Sequence, residues 1–308
     1  MRQAIILMYH RVTAGPPGPY ALSVTPEEFR AQLDAVRSRA EPSTLDGLSD
    51  AAERPRVVVT FDDGYADNFE VAAPIAQSLE VPMAVYVTSG VLGDPAGLWW
   101  DRLDAVCERH GIRALESPQQ AARSVEVTIG GVRLSVELTG AEASARLLWA
   151  LHTRLRRRPP EEIDAVIDEV AAQLGVAAGG RSEDRLLTVA ELRELAALEH
   201  VTIGAHTVRH ERLADLSPTE QFSTVSRSKA DLERLIGCAV EHFAYPFGGP
   251  TDIDRDSVRV ARRAGFKTAV TTSRGTAWRA TPRFRLPRYM VSPGTSPDRL
   301  LADVGLSA

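Results

Sequence analysis

Short runs of apolar residues recur along the chain and alternate with longer stretches of amphipathic, helix-like pattern. Seven runs have the length and composition of buried strands. They lie at 4–9, 56–61, 83–87, 201–203, 243–245, 267–271 and 286–291. Because short buried strands separated by helices are typical of parallel sheets, the pattern predicts an α/β fold. Seven candidate strands favour a distorted (β/α)7-type barrel.

Three segments carry the signals of a helix N-terminus. Thr25, Thr188 and Ser217 each precede a glutamate by three residues. This spacing lets the hydroxyl and the carboxylate cap the first backbone N–H groups of a helix. Thr25 and Ser217 are also followed by Pro, which suits the first helical position. We therefore predict that helices begin at these three sites.

The alternation of strands and helices breaks between residues 94 and 185. In this stretch Trp99 to His110 predicts a helix, and 125–138 alternates around Gly130-Gly131, a pair that can close a β-hairpin. Two further helical stretches follow. We interpret residues 1–308 as a single domain that carries an α+β insertion at 94–185.

Composition and charge narrow the choice of partners. The formal net charge of the 308 residues is -5 at pH 7, which gives no reason to expect nucleic-acid binding. Cys107 and Cys238 are too few for a disulfide framework. The first apolar run is shorter than a secretory segment, and no run has the roughly 18 residues of a membrane span. We expect a cytoplasmic protein without an integral membrane segment.

Two adjacent carboxylates, Asp62 and Asp63, directly follow the strand at 56–61. Side chains at the carboxyl ends of parallel barrel strands converge to form sites. A cation on Asp63 would relieve the repulsion between the two charges and leave Asp62 as a general base towards water. The alternative is that Asp62 caps the next helix and Asp63 fills the turn.

Two histidines, His206 and His210, follow the strand at 201–203. Imidazoles four residues apart can bind one ion, and with a carboxylate they provide three protein ligands. Two alternatives stay open: a pair of surface or capping histidines, and an oxidative enzyme that holds iron with two histidines and one carboxylate. The second carboxylate, Asp62, argues against the iron enzyme.

Three of these segments resemble the polysaccharide deacetylase family, also called the NodB-homology or carbohydrate esterase 4 family. The resemblance rests on TFDDGY at 60–65, GAHTVRH at 204–210 and FAYPFG at 243–248. LMYHRV at 7–12 and LWWDRL at 98–103 resemble a branch of the family that is tied to exopolysaccharide production. The resemblance covers the predicted barrel, about residues 4–93 and 185–291, and LWWDRL opens the insertion.

The resemblance implies a role for each matching residue. Asp62 would be the catalytic base. The ligands of a divalent cation, commonly zinc and alternatively cobalt, nickel or manganese, would be Asp63, His206 and His210. The backbone N–H of Phe247 would help the cation to stabilise the oxyanion, and donors aimed at developing charge suit a tetrahedral intermediate.

The chain departs from the family pattern in two places. Ala244 stands where the family usually has an arginine, and we suggest that Arg288 orients Asp62 instead. No histidine follows His242 to serve as the late general acid of the family. His10, at the end of the first strand, is our candidate for that role. The alternative is that His10 is a hydrogen-bonded buried residue.

The resemblance also suggests residues that contact the substrate. We expect one wall of the groove to include Tyr65, Tyr245, Pro246 and Phe247. Trp100 could stack against a sugar ring, because aromatic rings cover the apolar face of a pyranose. The alternative is that Trp100 anchors its helix in a core.

The expected function is removal of acetyl groups from N-acetylated sugars of a polysaccharide or its precursor. The partner would be an acetylated oligosaccharide or polysaccharide, and a lipid-linked precursor is one form of it. An O-acetyl carbohydrate esterase would use the same site. A carbohydrate-binding module that has lost catalysis is a third possibility, because of Ala244.

Overall fold

The structure is a computed structural model that describes residues 3–49, 53–116, 122–140 and 142–307. The chain divides into two compact units. The first unit comprises Met1–Leu92 and Leu187–Ala308, and the second is Gly93–Leu186. The second unit therefore has nearly the same bounds as the insertion that the sequence analysis placed at 94–185.

The described residues form strands of two to seven residues. They are β1 (Gln3–Tyr9), β2 (Arg11–Val12), β3 (Ser23–Val24), β4 (Glu41–Pro42), β5 (Arg56–Phe61), β6 (Met83–Val87), β7 (Ser124–Ile129), β8 (Val132–Glu137), β9 (Val201–Ala205), β10 (His242–Ala244), β11 (Thr268–Val270), β12 (Ala277–Trp278) and β13 (Tyr289–Met290).

The α-helices lie between these strands. They are α1 (Pro26–Arg39), α2 (Ala73–Ser78), α3 (Trp99–Glu116), α4 (Ala143–Leu155), α5 (Pro160–Leu174), α6 (Val189–Ala196), α7 (Pro218–Ile236), α8 (Arg255–Arg263) and α9 (Pro297–Asp303). Short 3₁₀ turns occur at Asp46–Ser49, Ser89–Val91, Ser182–Asp184 and Leu213–Asp215, and a π-helical turn spans Asn68–Ala72.

One sheet organises the first unit. Its strand order is β11-β10-β9-β6-β5-β1-β12, with β4 paired to β5 and β13 paired to β1. The pairs are parallel except β1 with β12, which is antiparallel. Strands occur in all seven predicted runs. The sequence analysis missed the antiparallel strand β12. A strand of only two residues is too short to show an alternation of apolar and polar side chains.

The last part of the chain brings the two sides of this curled sheet together. Leu286 forms a parallel bridge with Val270 of β11, and three residues later Tyr289 pairs with Leu7 of β1. A single extended segment thus reaches from one end of the sheet to β1. The predicted barrel-like α/β fold is confirmed.

Alternate residues of the central strands face two different cores, because side chains alternate across a strand. Ile5 and Leu7 belong to the large cluster that the helices cover, together with Phe29 of α1. Ile6 and Val58 belong to a smaller cluster inside the curled sheet. This two-sided burial explains why β1 and β5 read as continuous apolar runs.

The predicted capping signals are confirmed. Thr25, Thr188 and Ser217 each accept a hydrogen bond from the backbone N–H three residues on, and the carboxylate of the glutamate at that position accepts one from the backbone N–H of the cap residue. These caps fix the residues at which α1, α6 and α7 begin.

The second unit packs three helices with one hairpin. β7 and β8 pair in antiparallel fashion around Gly130 and Gly131, whose φ angles are 58° and 77°. Both values suit the predicted two-residue turn. α3 extends to Glu116, beyond the predicted end at His110. None of the helices in the described parts of the chain combines the length and the apolar character that crossing a membrane requires.

A glycine in β9 tests the packing inside the sheet. A Cβ atom on Gly204 would lie 2.3 Å from Cδ1 of Tyr86 and 3.1 Å from the carbonyl oxygen of His242. We predict that Gly204→Ala lowers the free energy of unfolding by about 1 to 3 kcal/mol, because overpacking forces its neighbours to move. The control is Gly18→Ala, where nothing lies within 4 Å. Equal unfolding midpoints in urea for the two variants would refute the prediction.

Candidate metal centre

The two chemical motifs follow neighbouring parts of one parallel sheet. β5 pairs with β6, and β6 pairs with β9, all in parallel. Asp62 directly follows β5, and His206 directly follows β9. Because the carboxyl ends of parallel strands lie at one rim, the sheet brings both motifs to the same place.

Asp63, His206 and His210 form a buried cluster whose potential ligand atoms lie within 4.8 Å of one another. Oδ1 of Asp63 lies 3.4 Å from Nε2 of His206 and 3.5 Å from Nε2 of His210. With zinc–ligand bonds of about 2.0–2.1 Å, tetrahedral ligands stand about 3.4 Å apart. Oδ1 of Asp63 is buried and has no hydrogen-bond partner within the described residues. These three residues therefore fit a zinc-like cation.

A backbone contact sets the orientation of His206. Its Nδ1 donates a hydrogen bond to the carbonyl oxygen of Ala244, at 2.8 Å. With the proton on Nδ1, the lone pair of Nε2 points to Asp63, which is the arrangement of a metal-ligating imidazole. Ala244, the residue at the position of the usual family arginine, thus serves the site through its backbone.

Four residues of the site adopt the left-handed backbone region that favours glycine. The φ angles are 77° at Asp63, 62° at Thr207, 57° at His210 and 60° at Phe247. Such conformations cost energy and persist where the surroundings hold them. At Thr207 the carbonyl oxygen accepts hydrogen bonds from Oγ of Ser228 and from a backbone N–H. Strained residues of this kind are concentrated at the functional sites of proteins, which supports the interpretation of this rim as the site.

Asp62 is held by a buried arginine. Nη1 of Arg288 donates to Oδ1 of Asp62 at 2.7 Å, and Nη2 donates to Oδ2 at 2.6 Å. The Arg288 side chain is fully buried. Paired contacts of this kind fix both the position and the plane of a carboxylate. Arg288, the residue suggested to orient Asp62, thus contacts both of its oxygens.

Arg288 makes two further hydrogen bonds. Nε donates to the carbonyl oxygen of Thr271 at 2.9 Å, and Nη1 also contacts Oγ1 of Thr60 at 3.1 Å. The Thr60 hydroxyl donates in turn to the carbonyl oxygen of Leu7. Thr60 therefore joins the site as a support, a role that sequence reasoning missed. The sequence feature that could have indicated this role is that Thr60 is the first residue of the TFDDGY motif.

The surroundings oppose the usual effect of burial on the two aspartates. Burial alone would raise the pKa of Asp62, but the guanidinium of Arg288 outweighs it and holds that pKa well below its usual range. Burial likewise acts to raise the pKa of Asp63, while the contact with His206 and the charge of His210 lower it. Both carboxylates are therefore ionised.

The two histidines differ in their proton affinity. Burial and the neighbouring His206 lower the pKa of His210 to about 3. Burial also acts to lower the pKa of His206, but the contact with Asp63 and the charge of Asp62 raise it. A neutral imidazole is the form that binds metal, so His210 is already prepared as a ligand.

His10 lies beside the site at the end of β1. It is half-buried, and a positive charge on its ring would lower the pKa of Asp62, Asp63 and His210. Its carbonyl oxygen accepts a hydrogen bond from Nδ2 of Asn68, at 2.8 Å. This contact anchors the backbone and leaves the role of the ring to be tested.

Phe247 borders the cluster. Its ring centroid lies 4.7 Å from that of His210, with the two planes at 77°. Its carbonyl oxygen accepts a hydrogen bond from Oγ1 of Thr272, at 2.7 Å. Phe247 is partly exposed, so it stands between the cluster and solvent.

The structure does not place the other expected substrate contacts on a groove. Tyr65 and Tyr245 are fully buried, and Pro246 is also buried. The guanidinium of Arg11 covers the ring of Tyr65, and the hydroxyl of Tyr245 donates to a backbone carbonyl. The side chains of these three residues therefore pack in the interior.

Trp100 belongs to the core of the second unit. It is 6% exposed, and its ring meets that of Trp99 edge-to-face at 5.5 Å. Trp99 also stacks on His152. The packing alternative of the sequence analysis therefore describes Trp100, and the suggested sugar-stacking role does not.

Comparison with known proteins agrees with the motifs. The family model described as polysaccharide deacetylase matches residues 169–269, a stretch that includes His206 and His210. YxkH of Bacillus subtilis, a polysaccharide deacetylase by its assigned name, is 31% identical over 111 residues. That alignment covers 36% of this chain and 38% of YxkH, so the chain matches well under half of its relative.

Solved structures share the fold over almost the whole chain. The Streptococcus pyogenes deacetylase PplD, solved in complex with acetate, has a TM-score of 0.62 at 20% identity, covering 98% of both chains. IcaB from Ammonifex degensii has a TM-score of 0.59 at 18% identity, covering 98% of this chain and 97% of that one. A de-N-acetylase from Aggregatibacter actinomycetemcomitans has a TM-score of 0.61 at 14% identity, covering 98% and 100%.

These matches confirm the resemblance to polysaccharide deacetylases that the motifs indicated. At such identities the structural likeness concerns the fold. The expectation of an enzyme of the deacetylase type agrees with the family model and with the names of these relatives.

We predict that zinc stabilises the protein through the buried cluster. At a zinc concentration about 100 times the dissociation constant, one site adds about 2.7 kcal/mol to the free energy of unfolding. Asp63→Ala and His206→Ala should lose this response, because each removes a ligand. His200→Gln, a histidine outside the cluster whose Nε2 contacts the carbonyl oxygen of Ala73, should retain it. A zinc-dependent shift of the melting temperature that survives in both cluster variants would contradict the assignment.

We also predict that Arg288 is essential for stability. Arg288→Met leaves the Asp62 carboxylate buried without its partner, which costs about 3–5 kcal/mol. The control is Arg274→Met, which breaks an exposed pair with Asp303 and should cost about 0–1 kcal/mol. Urea unfolding of both variants measures the difference. Similar small losses in both would show that the Asp62–Arg288 pair contributes little.

Proposed function

We propose that the protein is a metal-dependent deacetylase that hydrolyses the acetamide of N-acetylated sugars in a polysaccharide or its precursor. One observation carries the proposal. Asp62 is buried, ionised and oriented by Arg288, and it lies next in sequence to a carboxylate that shares a cluster with two imidazoles. This arrangement separates a base from a cation site, which is what metal-assisted hydrolysis requires.

The cluster favours zinc among the divalent cations. One carboxylate oxygen and two imidazole nitrogens suit zinc, cobalt or nickel better than magnesium or calcium, which prefer oxygen ligands. When bound, such a cation polarises a carbonyl group and acidifies water. Three protein ligands leave positions for water and substrate.

Asp62 is the proposed general base. The two hydrogen bonds from Arg288 keep the carboxylate in one plane, and each oxygen retains a lone pair that can accept a proton from the attacking water. The same guanidinium keeps Asp62 ionised before the reaction. Loss of the two hydrogen bonds from Arg288 would therefore change both the orientation and the charge of Asp62.

Phe247 and His10 have the remaining proposed roles. The Phe247 backbone lies in a left-handed turn beside His210, and we assign to its N–H the stabilisation of the oxyanion. His10 is near enough to affect the charges of both aspartates, and we assign to it the protonation of the leaving amine.

The choice of an N-acetyl substrate draws on fold relatives. The deacetylase PplD and the de-N-acetylase from Aggregatibacter actinomycetemcomitans have this fold. The motifs at 7–12 and 98–103 add a resemblance to the exopolysaccharide branch. We propose that the substrate is an N-acetylated hexosamine chain or a lipid-linked form of it.

We predict acetate release from N-acetylated oligosaccharides that depends on both zinc and Asp62. Removal of the cation with a chelator should abolish activity, and added zinc should restore it. Asp62→Asn should lower kcat by about 10²-fold to 10⁴-fold, the contribution of a positioned general base. The measurement is enzymatic acetate detection with chitooligosaccharides, a lipid-linked N-acetylated disaccharide and O-acetylated xylan.

The outcomes separate the candidate functions. Turnover of the O-acetylated polymer alone would identify an esterase. Binding of oligosaccharide without acetate release would identify a carbohydrate-binding module. Activity that is insensitive to the chelator would overturn the proposed mechanism.

A further inference from the structure

We propose that Arg212 and Asp252 are positioning residues that hold the Phe247 turn against the loop of His210. The inference rests on the proposed function, because it assigns these residues a part in the same reaction. It concerns two loops that sequence reasoning did not connect: residues 206–212 after β9, and residues 245–252 after β10.

Arg212 lies two residues after His210 and is 7% exposed. Its Nε donates to Oδ1 of Asp252 at 2.6 Å, and its Nη2 contacts the carbonyl oxygen of Thr251. Its Nη1 donates to Oδ1 of Asp215 at 2.5 Å. A planar guanidinium with acceptors along all its edges has little freedom to rotate. The loop of His210 is therefore joined firmly to the end of the second loop.

Asp252 also contacts the backbone that follows the Phe247 turn. Its Oδ2 accepts a hydrogen bond from the backbone N–H of Gly249, at 3.0 Å. A Cβ atom on Gly249 would lie 2.7 Å from the same oxygen, so the carboxylate rests directly against the backbone. The backbone carbonyl of Asp252 accepts a further bond from the N–H of Ala214, at 3.2 Å. Asp252 thus connects the two loops through both its side chain and its backbone.

The turn that these contacts hold is strained. Phe247 and Gly248 have φ angles of 60° and 59°, and the N–H of Gly248 contacts the carbonyl oxygen of Pro246 at 2.6 Å. Two successive left-handed residues, one of them bulky, persist when neighbours hold them. On one side Thr272 binds the carbonyl oxygens of Phe247 and Gly248. On the other side Asp252 holds Gly249.

This geometry predicts an effect on catalysis rather than on substrate binding. The ring of Phe247 lies 4.7 Å from that of His210, so a small shift of the turn changes where its backbone stands relative to the cation site. Displacements of about 1 Å cost about 10²-fold in rate when they affect a reacting geometry. The competing explanation is an ion pair that only stabilises the fold. It predicts lower stability with an unchanged kcat for the folded protein.

The experiment compares Asp252→Asn and Arg212→Lys, singly and combined, with a control pair. Asn keeps the shape of Asp252 and Lys keeps the charge of Arg212, which favours folding. The control is Arg234→Lys with Asp231→Asn on α7, an exposed pair 2.7 Å apart. Three quantities are measured: kcat and KM for acetate release, zinc affinity by chelator competition, and amide hydrogen exchange in peptides that cover 245–252.

We refer to Arg212 and Asp252 together as the clamp. We expect each single clamp variant to lower kcat by about tenfold and to keep KM within about twofold of the wild-type value. This is the result expected when an interaction is made only in the transition state. Exchange at 247–249 should accelerate in both variants, while zinc affinity stays within about threefold because all three ligands remain. The combined variant should be no slower than the worse single variant, because the two residues act as one unit. The control pair should leave all three quantities unchanged.

Two results would overturn the inference. One is wild-type kcat and wild-type exchange at 247–249 in both clamp variants. The other is a fall in activity that follows only the fraction of unfolded protein, with unchanged exchange in the folded state. If the wild-type protein releases no acetate, the proposed function fails, while the exchange measurement still decides whether the clamp holds the turn.

Discussion

Two aspartates that are adjacent in sequence and both buried remain ionised together only if each has partners that stabilise its negative charge. Asp62 faces Arg288 through two hydrogen bonds. Asp63 faces the imidazoles of His206 and His210, and its Oδ1 has no hydrogen bond among the residues that the structure describes. Burial raises the cost of any unpaired charge, so this division of partners also assigns the roles. In the proposed mechanism one carboxylate is the base, and the other is a ligand of the cation.

The closure of the sheet serves this division. Arg288 lies in the segment that reaches from β11 to β1, between Leu286 and Tyr289. This segment places the guanidinium of Arg288 beside Asp62. The guanidinium also donates hydrogen bonds to Oγ1 of Thr60 and to the carbonyl oxygen of Thr271. In this chain the late Arg288 contacts Asp62, which is the part that the resemblance to the family gives to an arginine of the third motif. The backbone carbonyl left there, that of Ala244, orients His206.

Much of this could be predicted from the sequence because it depends on local signals. Buried runs predicted the strands, and hydroxyl–glutamate spacing predicted the helix starts at Thr25, Thr188 and Ser217. The convergence of Asp63 with His206 followed from the rule that parallel strands end at one rim. Arg288 could be suggested for two reasons. Ala244 leaves Asp62 without the usual family arginine, and Arg288 lies in LPRYMV at 286–291, the last predicted strand.

Other features could not be predicted because they depend on long-range packing. Tyr65 and Tyr245 stand in motifs, yet the direction of each ring is set by Arg11 and by Phe284 far along the chain. The connection between Arg212 and Asp252 joins residues 40 positions apart. No periodicity marks the left-handed φ angles of His210 and Phe247, and a bulky aromatic residue such as Phe247 rarely adopts that conformation. These are the places where function departs from local rules.

X-ray absorption at the zinc edge of the metal-loaded protein tests the central claim most directly. The account predicts a first shell of nitrogen and oxygen at about 2.0–2.1 Å, with the multiple scattering of two imidazoles and no sulfur. Replacement of His210 by alanine should remove one imidazole from that shell. A shell that contains sulfur, or that lacks imidazole, would contradict the assignment of Asp63, His206 and His210 to one cation.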